Sequence, residues 1–120
     1  EIMGAPVEWF EIQGKNGEVL KDFYSGLFGW KISSDNSMNY GHANTDSGKG
    51  IGGGICTNEK GESRVTVYIT VRDINLTLDK VKANGGSVFM ERTEHEGQVT
   101  IAILKDPAGN KIGLVERKED

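Results

Sequence analysis

Asn16-Gly17-Glu18-Val19-Leu20-Lys21-Asp22-Phe23-Tyr24-Ser25-Gly26-Leu27-Phe28-Gly29-Trp30 is the stretch from which the fold can be read. Val19 or Leu20, Phe23 and Leu27 recur at three-to-four spacing, which predicts a helix over 16–28. Asn16 is placed to accept a hydrogen bond from the first helical turn. Gly29 stands where a chain leaving a helix turns left-handed. The pattern returns at Asp73 to Asn84, with Ile74, Leu78 and Val81 as the apolar positions, Asp73 as N-cap and Gly85 as terminator. Phe23, Leu27, Leu78 and Val81 are expected to pack the two helices onto sheets.

β-Branched and aromatic residues fill Val7 to Ile12 and Arg64 to Val71, directly before the helices. Three strands are expected after the second helix, at Ser87 to Arg92, Val99 to Leu104 and Lys111 to Glu116, divided by turns at Glu94 to Gln98 and Asp106 to Asn110. Weaker strands follow the first, at Lys31 to Ser34, Met38 to Ala43 and Gly53 to Cys56. Each half thus reads strand, helix, three strands. Pairing Asp22 with Asp79 sets an offset of 57 (79 − 22), which brings Gly29 onto Gly86 and Trp9 onto Thr66. An internal duplication is expected within a single domain of residues 1–120, with modules at 6–60 and 61–117. One helix on one small sheet does not close a core, so the halves should combine and share a concave surface.

Composition excludes several function classes. Among 120 residues, 14 Lys and Arg face 18 Asp and Glu, for a net charge of −4. No basic cluster suits a phosphate backbone, so neither nucleic acid nor an anionic membrane is an expected partner. The longest aliphatic run, Ile101 to Leu104, falls far short of the roughly 18 residues of a spanning helix, and no signal segment is read. The lone Cys56 cannot pair internally, which points to a reducing cytoplasm, and its expected role is a small buried strand residue. A core this modest would gain from dimerisation.

Asp22-Phe23-Tyr24 followed by Leu27-Phe28-Gly29-Trp30 resembles a signature of the vicinal oxygen chelate superfamily, the group of glyoxalase I, bleomycin-resistance proteins and extradiol dioxygenases. Val81-Lys82-Ala83-Asn84-Gly85-Gly86 resembles that family's helix end, and Asp106-Pro107-Ala108-Gly109-Asn110-Lys111 its turn before the last strand. The likeness runs from Pro6 to Glu116. It implies an α+β fold of two βαβββ modules whose mixed sheets curl around a cavity.

Metal-dependent members of the family hold a divalent ion through His, Glu or Gln on the first and last strand of each module. Carried onto this chain, those positions fall at Trp9, Thr66, Gly54 and Gly113. Such an ion needs several imidazole or carboxylate donors, and Trp and Gly offer none. The family's metal site is therefore expected to be absent, and no cofactor is expected. Glu11 shares a strand face with Trp9, Tyr68 shares one with Thr66, and His42 falls on a neighbouring strand. Glu11 and His42 read either as base and proton carrier, as two ligands of an altered divalent metal site, or as ordinary polar cavity wall. Trp9, Tyr40, Tyr68 and Phe89 are candidates for an aromatic wall or for core. Trp9, Glu11, Tyr40, His42, Thr66, Tyr68 and Gly113 together form the candidate ligand-binding set.

Gly48-Lys49-Gly50-Ile51-Gly52-Gly53 matches a dinucleotide-loop pattern in spacing only, since a strand and a turn follow it instead of a helix. His95 is expected to be exposed in a hairpin. The expectation is a cytoplasmic homodimer of this group that binds a small organic molecule in an aromatic-lined cavity between the paired modules, without the family's metal site. A metal-dependent lyase or isomerase with an altered ligand set is the alternative, and a dimerisation or partner-binding module is a second.

Overall fold

The computed structural model describes residues 4–95 and 99–117. The chain runs β1 (Val7–Gly14), α1 (Gly17–Phe28), β2 (Lys31–Ser33), β3 (Gly41–Asn44), β4 (Gly53–Thr57), β5 (Arg64–Val71), α2 (Ile74–Ala83), β6 (Ser87–Glu94), β7 (Thr100–Lys105) and β8 (Lys111–Glu116). This is the α+β class with the strand-helix-three-strand order repeated. It divides into two compact units, one of Trp9–Thr66 and the other of Val67 onward together with the residues before Trp9. The third strand begins at Gly41, so Tyr40 precedes the strand on which it was expected. The middle of the turn at 94–98 lies outside the described residues, and His95 beside it is half-buried where exposure was expected. Among the described residues no helix is long and apolar enough to cross a membrane.

In the first unit the strand order is β2-β3-β4-β1, with β1 and β4 parallel and the other neighbours antiparallel. Alternation sends Phe10, Ile12 and Gly14 to the α1 face of β1 and Trp9, Glu11 and Gln13 to the opposite face. The helix is capped as its ends predict. The Asn16 carboxamide accepts from the Val19 N–H at 3.3 Å, and Gly29 adopts φ +72° while its N–H donates to Ser25 O.

The packed face of α1 is a correction. Phe23 and Leu27 are 55% and 59% exposed, and the helix instead buries Gly17 and Lys21, with Leu20 and Tyr24 half-buried. Close approach decides the orientation. A Cβ at Gly17 would sit 2.7 Å from the Thr57 backbone nitrogen, so the missing side chain lets the first turn press onto β4. The Lys21 ammonium, although buried, donates to Glu18 and to the Asn39 carbonyl, both at 2.9 Å. Tyr24 stacks on Trp30 at 5.4 Å. A buried amine with two acceptors is tolerable, whereas one without them is not.

In the second unit the order is β5-β8-β7-β6, with β5 and β8 parallel. Ile74, Leu78, Ala102 and Leu114 form its core, flanked by Ile69, Val71, Val88 and Leu104. Leu78 packs as expected. The Asp73 carboxylate caps α2 by accepting from the Leu76 N–H at 3.0 Å, and Gly85 turns the exit at φ +91°. Glu116 on β8 accepts from the Ile74 N–H and, through both carboxyl oxygens, from Arg92 at 2.7 and 3.2 Å. The Arg92 hydrogen bond foremost, then the Ile74 amide, holds the Glu116 carboxyl below the usual carboxylate range.

Glu11 lies opposite Gly54 and Tyr68 opposite Gly113; Glu11 and Tyr68 are 57 apart (68 − 11), as the helices are, whereas the two glycines are 59 apart (113 − 54).

Leu78→Ala should lower stability by about 2–4 kcal/mol in urea unfolding, while Phe23→Ser, on the exposed row of α1, should change it by less than about 0.5 kcal/mol. Because Glu116 titrates below its unfolded value, its contribution is present at neutral pH and is lost as pH falls through the folded value. Glu116→Gln should therefore lower the melting temperature at pH 7 and flatten its fall below about pH 4, read by melts across pH.

Candidate functional site

Four expected site residues come together in the first unit. Glu11 lies opposite Gly54 on β4, and His42 on β3 lies opposite the same glycine from the other side. Gly54 has no side chain, and that gap is filled by Tyr40. A Cβ there would fall inside the Tyr40 hydroxyl and ring. The hydroxyl receives a hydrogen bond from Trp9 Nε1 at 3.0 Å and donates to Glu11 Oε2 at 2.8 Å. The Tyr40 ring lies 5.1 Å from the His42 ring, and His42 meets the edge of Trp9 at 6.0 Å.

The chain of bonds extends beyond the residues that sequence spacing picked out. Gln13 donates to Glu11 Oε1 at 2.7 Å and accepts from Asn58 at 2.7 Å. Gln13 carried a legible signal, since it is two residues beyond Glu11 on one strand face. Asn58 carried none, because its place depends on the turn after β4. Glu11 is 8% exposed, with both carboxyl oxygens accepting hydrogen bonds. Burial first, and then the Glu11 charge, pushes the Tyr40 hydroxyl far above its ordinary value. The phenol therefore stays protonated and acts as a donor rather than a base.

Two side chains hold Tyr40 in position. The Asn36 carboxamide accepts from the Met38 and Tyr40 N–H groups and donates to the Tyr40 carbonyl. Lys21 bonds the carbonyl of Asn39, which takes a left-handed φ of 53°.

The remaining candidates fall elsewhere. Tyr68 is buried opposite Gly113 in the second unit, its ring in the space a Gly113 side chain would need. The Thr66 hydroxyl and Arg64 Nε are buried with no hydrogen-bond partner among the described residues. Phe89 is 45% exposed, its ring facing the ammonium groups of Lys111 at 4.1 Å and Lys105 at 5.5 Å, so it is surface and not core. Cys56 is half-buried, and burial pushes its thiol up to about 11, which fits a structural thiol and not a nucleophile. The glycine run 48–53 leads into β4 and opens no helix.

On the same face of the first unit an open cleft of about 610 Å³ is lined by residues that include Trp9, Lys31, Ser33, His42 and Asn44. Lys31 lies opposite Asn44, and Ser33 opposite His42. Lys31, Ser33 and Asn44 were missed because only the β2–β3 register brings them beside His42.

The mapped metal positions can be tested against this geometry. Trp9 offers a donor N–H already given to Tyr40, the space above Gly54 holds the Tyr40 hydroxyl, and that above Gly113 holds the Tyr68 ring. These residues do not fit a divalent ion. Among the described residues no three His, Cys, Asp or Glu side chains converge.

Two successive βαβββ units with these caps and turns define an α+β fold. Residues 7–114 match the model of the glyoxalase/bleomycin resistance protein/dioxygenase superfamily, and the chain belongs to that superfamily. It is 40% identical over 67 residues to a probable lactoylglutathione lyase of Vibrio cholerae, covering 55% of this chain and 49% of that one. It is 31% identical over 117 residues to a probable lactoylglutathione lyase of Synechocystis, covering 88% and 79%. The chain spans about half the length of most of the curated relatives it matches. A hypothetical protein of Bacillus halodurans superposes with a TM-score of 0.69 at 18% identity, covering 98% of each chain, which shows the fold alone.

Gly54→Ala should expel the Tyr40 hydroxyl from its bonds with Trp9 and Glu11. The expected outcome is a loss of about 1–3 kcal/mol in urea unfolding and an altered Trp9 emission in a Trp30→Phe background.

Proposed function

We propose that this chain binds a small organic molecule in the cleft of the Trp9–Thr66 unit and does so without the divalent ion of its metal-dependent relatives. The observation that carries this reading is the Tyr40 hydroxyl seated over Gly54 and bonded on either side to Trp9 and Glu11. An indole, a phenol and a carboxyl group joined in this way form a rigid hydrogen-bonded cluster behind Trp9, not a set of free ligands. The cleft is of the size of small-molecule sites and presents aromatic surface beside a few polar groups.

A partner-binding module would have its cavity filled by its own side chains and an apolar patch elsewhere. Val19, Phe23 and Leu27 supply such an exposed row on α1, but the cleft is open. The reading therefore keeps a small ligand, with a cytoplasmic homodimer as the proposed state, which sedimentation at micromolar concentration checks.

A thermal melt of metal-stripped protein tests the proposal. Ni, Zn, Co, Mn and Fe(II) should leave the melting temperature unchanged, while a member of a library of small aromatic and carbonyl compounds should raise it saturably, by about 2.7 kcal/mol of stabilisation at a hundredfold excess over Kd. A metal-dependent rise abolished by Glu11→Ala or His42→Ala would overturn it and assign a metal-dependent lyase or isomerase.

A further inference from the structure

We infer that the cleft selects a planar aromatic monoanion, an aryl carboxylate, laid against Trp9 with its charge toward Lys31 and His42. The inference rests on the small-molecule reading above and adds the chemical class of the ligand. Its first support is charge. The chain carries more acidic than basic residues, yet no Asp or Glu lines the cleft among the described residues, while Lys31 does. Lys31 forms no ion pair with a described acid, so its ammonium is available to a ligand.

The second support is the arrangement of the polar groups. Directly opposed residues of an antiparallel pair share a face, and residues two apart on a strand share it too. Lys31 opposite Asn44 and Ser33 opposite His42 thus make a four-cornered patch of hydrogen-bonding side chains on one face of β2–β3. Opposed Cβ atoms there are about 4.5–5.5 Å apart. One small anionic group can meet two or three corners at once.

The third support is the shape of the wall. Trp9 Nε1 is committed to Tyr40, which fixes the indole and leaves its carbon surface to the cleft. Gly52 borders the edge of that indole, since a Cβ there would sit 3.6 Å from Trp9 Cζ3. A flat ring laid on the carbon face of the fixed indole gains more contact there than a branched aliphatic group does.

Isothermal titration calorimetry with three probes of similar size tests the inference: 2-naphthoate, its neutral amide 2-naphthamide, and the non-planar decahydro-2-naphthoate. The wild-type chain should bind 2-naphthoate about fivefold or more tightly than the amide, and Lys31→Met should remove that preference while leaving amide affinity unchanged. Added salt should shrink the preference. Lys60→Met, outside the cleft, should leave it intact. The decahydro compound should bind more weakly than naphthoate in every variant. Equal affinity for acid and amide, or a preference that survives Lys31→Met, would overturn the aryl-carboxylate assignment while leaving a small-molecule cleft standing. If none of the three probes binds and no library compound moves the melting temperature, both the inference and the reading beneath it fall.

Discussion

A side chain is missing at Gly54, and the first unit is organised around that gap. In a parallel pair the residues of adjacent strands lie about 4.8 Å apart, too close for a phenol to reach the sheet surface past a Cβ. With only hydrogen at Gly54, the Tyr40 ring lies over β4 and its hydroxyl reaches Glu11 on β1. Three further links depend on that contact: Trp9 donates to the hydroxyl, Gln13 braces the far oxygen of Glu11, and Asn58 braces Gln13. Each bond is worth about 1 kcal/mol net, and because the side chains are linked in series the loss of one loosens its neighbours.

The same contact ties the helix face to the site. Lys21 is buried under α1 because the Asn39 carbonyl and Glu18 satisfy its ammonium, and Asn39 immediately precedes Tyr40. The helix thereby secures the loop that delivers the phenol. The buried lysine and the exposed Phe23 are two sides of one choice, since a face closed by Gly17 and Lys21 leaves the more apolar row outside.

Much of this fold is written locally in the sequence. Asn16, Gly29, Asp73 and Gly85 mark helix ends through caps that need only neighbouring residues, and β-branched runs mark β5 and β8 at their observed bounds. The offset of 57 was also legible, and it relates Glu11 on β1 to Tyr68 on β5, while the glycines opposite them are offset by 59. The packed face of α1 was not, because periodicity identifies a stripe without knowing which backbone approaches it, and the approach at Gly17 depends on Thr57, forty residues on. In the site, Glu11, Tyr40 and His42 could be singled out by type and strand parity. That Tyr40 spans from one strand's edge to another, and that Lys31, Ser33 and Asn44 gather beside His42, follows from register, which no single segment encodes.

Gly54 and Gly113 also bear on what substitutions the chain can accept, and in what order. Each glycine is the slot into which its unit folds an aromatic ring, Tyr40 in one and Tyr68 in the other. An imidazole or carboxylate introduced at Gly54 would collide with the phenol already there, so a substitution that is harmless in a relative with an empty slot is disruptive in this chain. The ring at position 40 must shrink first, and that step on its own removes the acceptor of the Trp9 N–H and a donor to Glu11. A route from this sequence to a side chain at Gly54 therefore passes through the loss of the Tyr40 contacts, and the present arrangement is guarded by the order of substitutions as well as by its contacts.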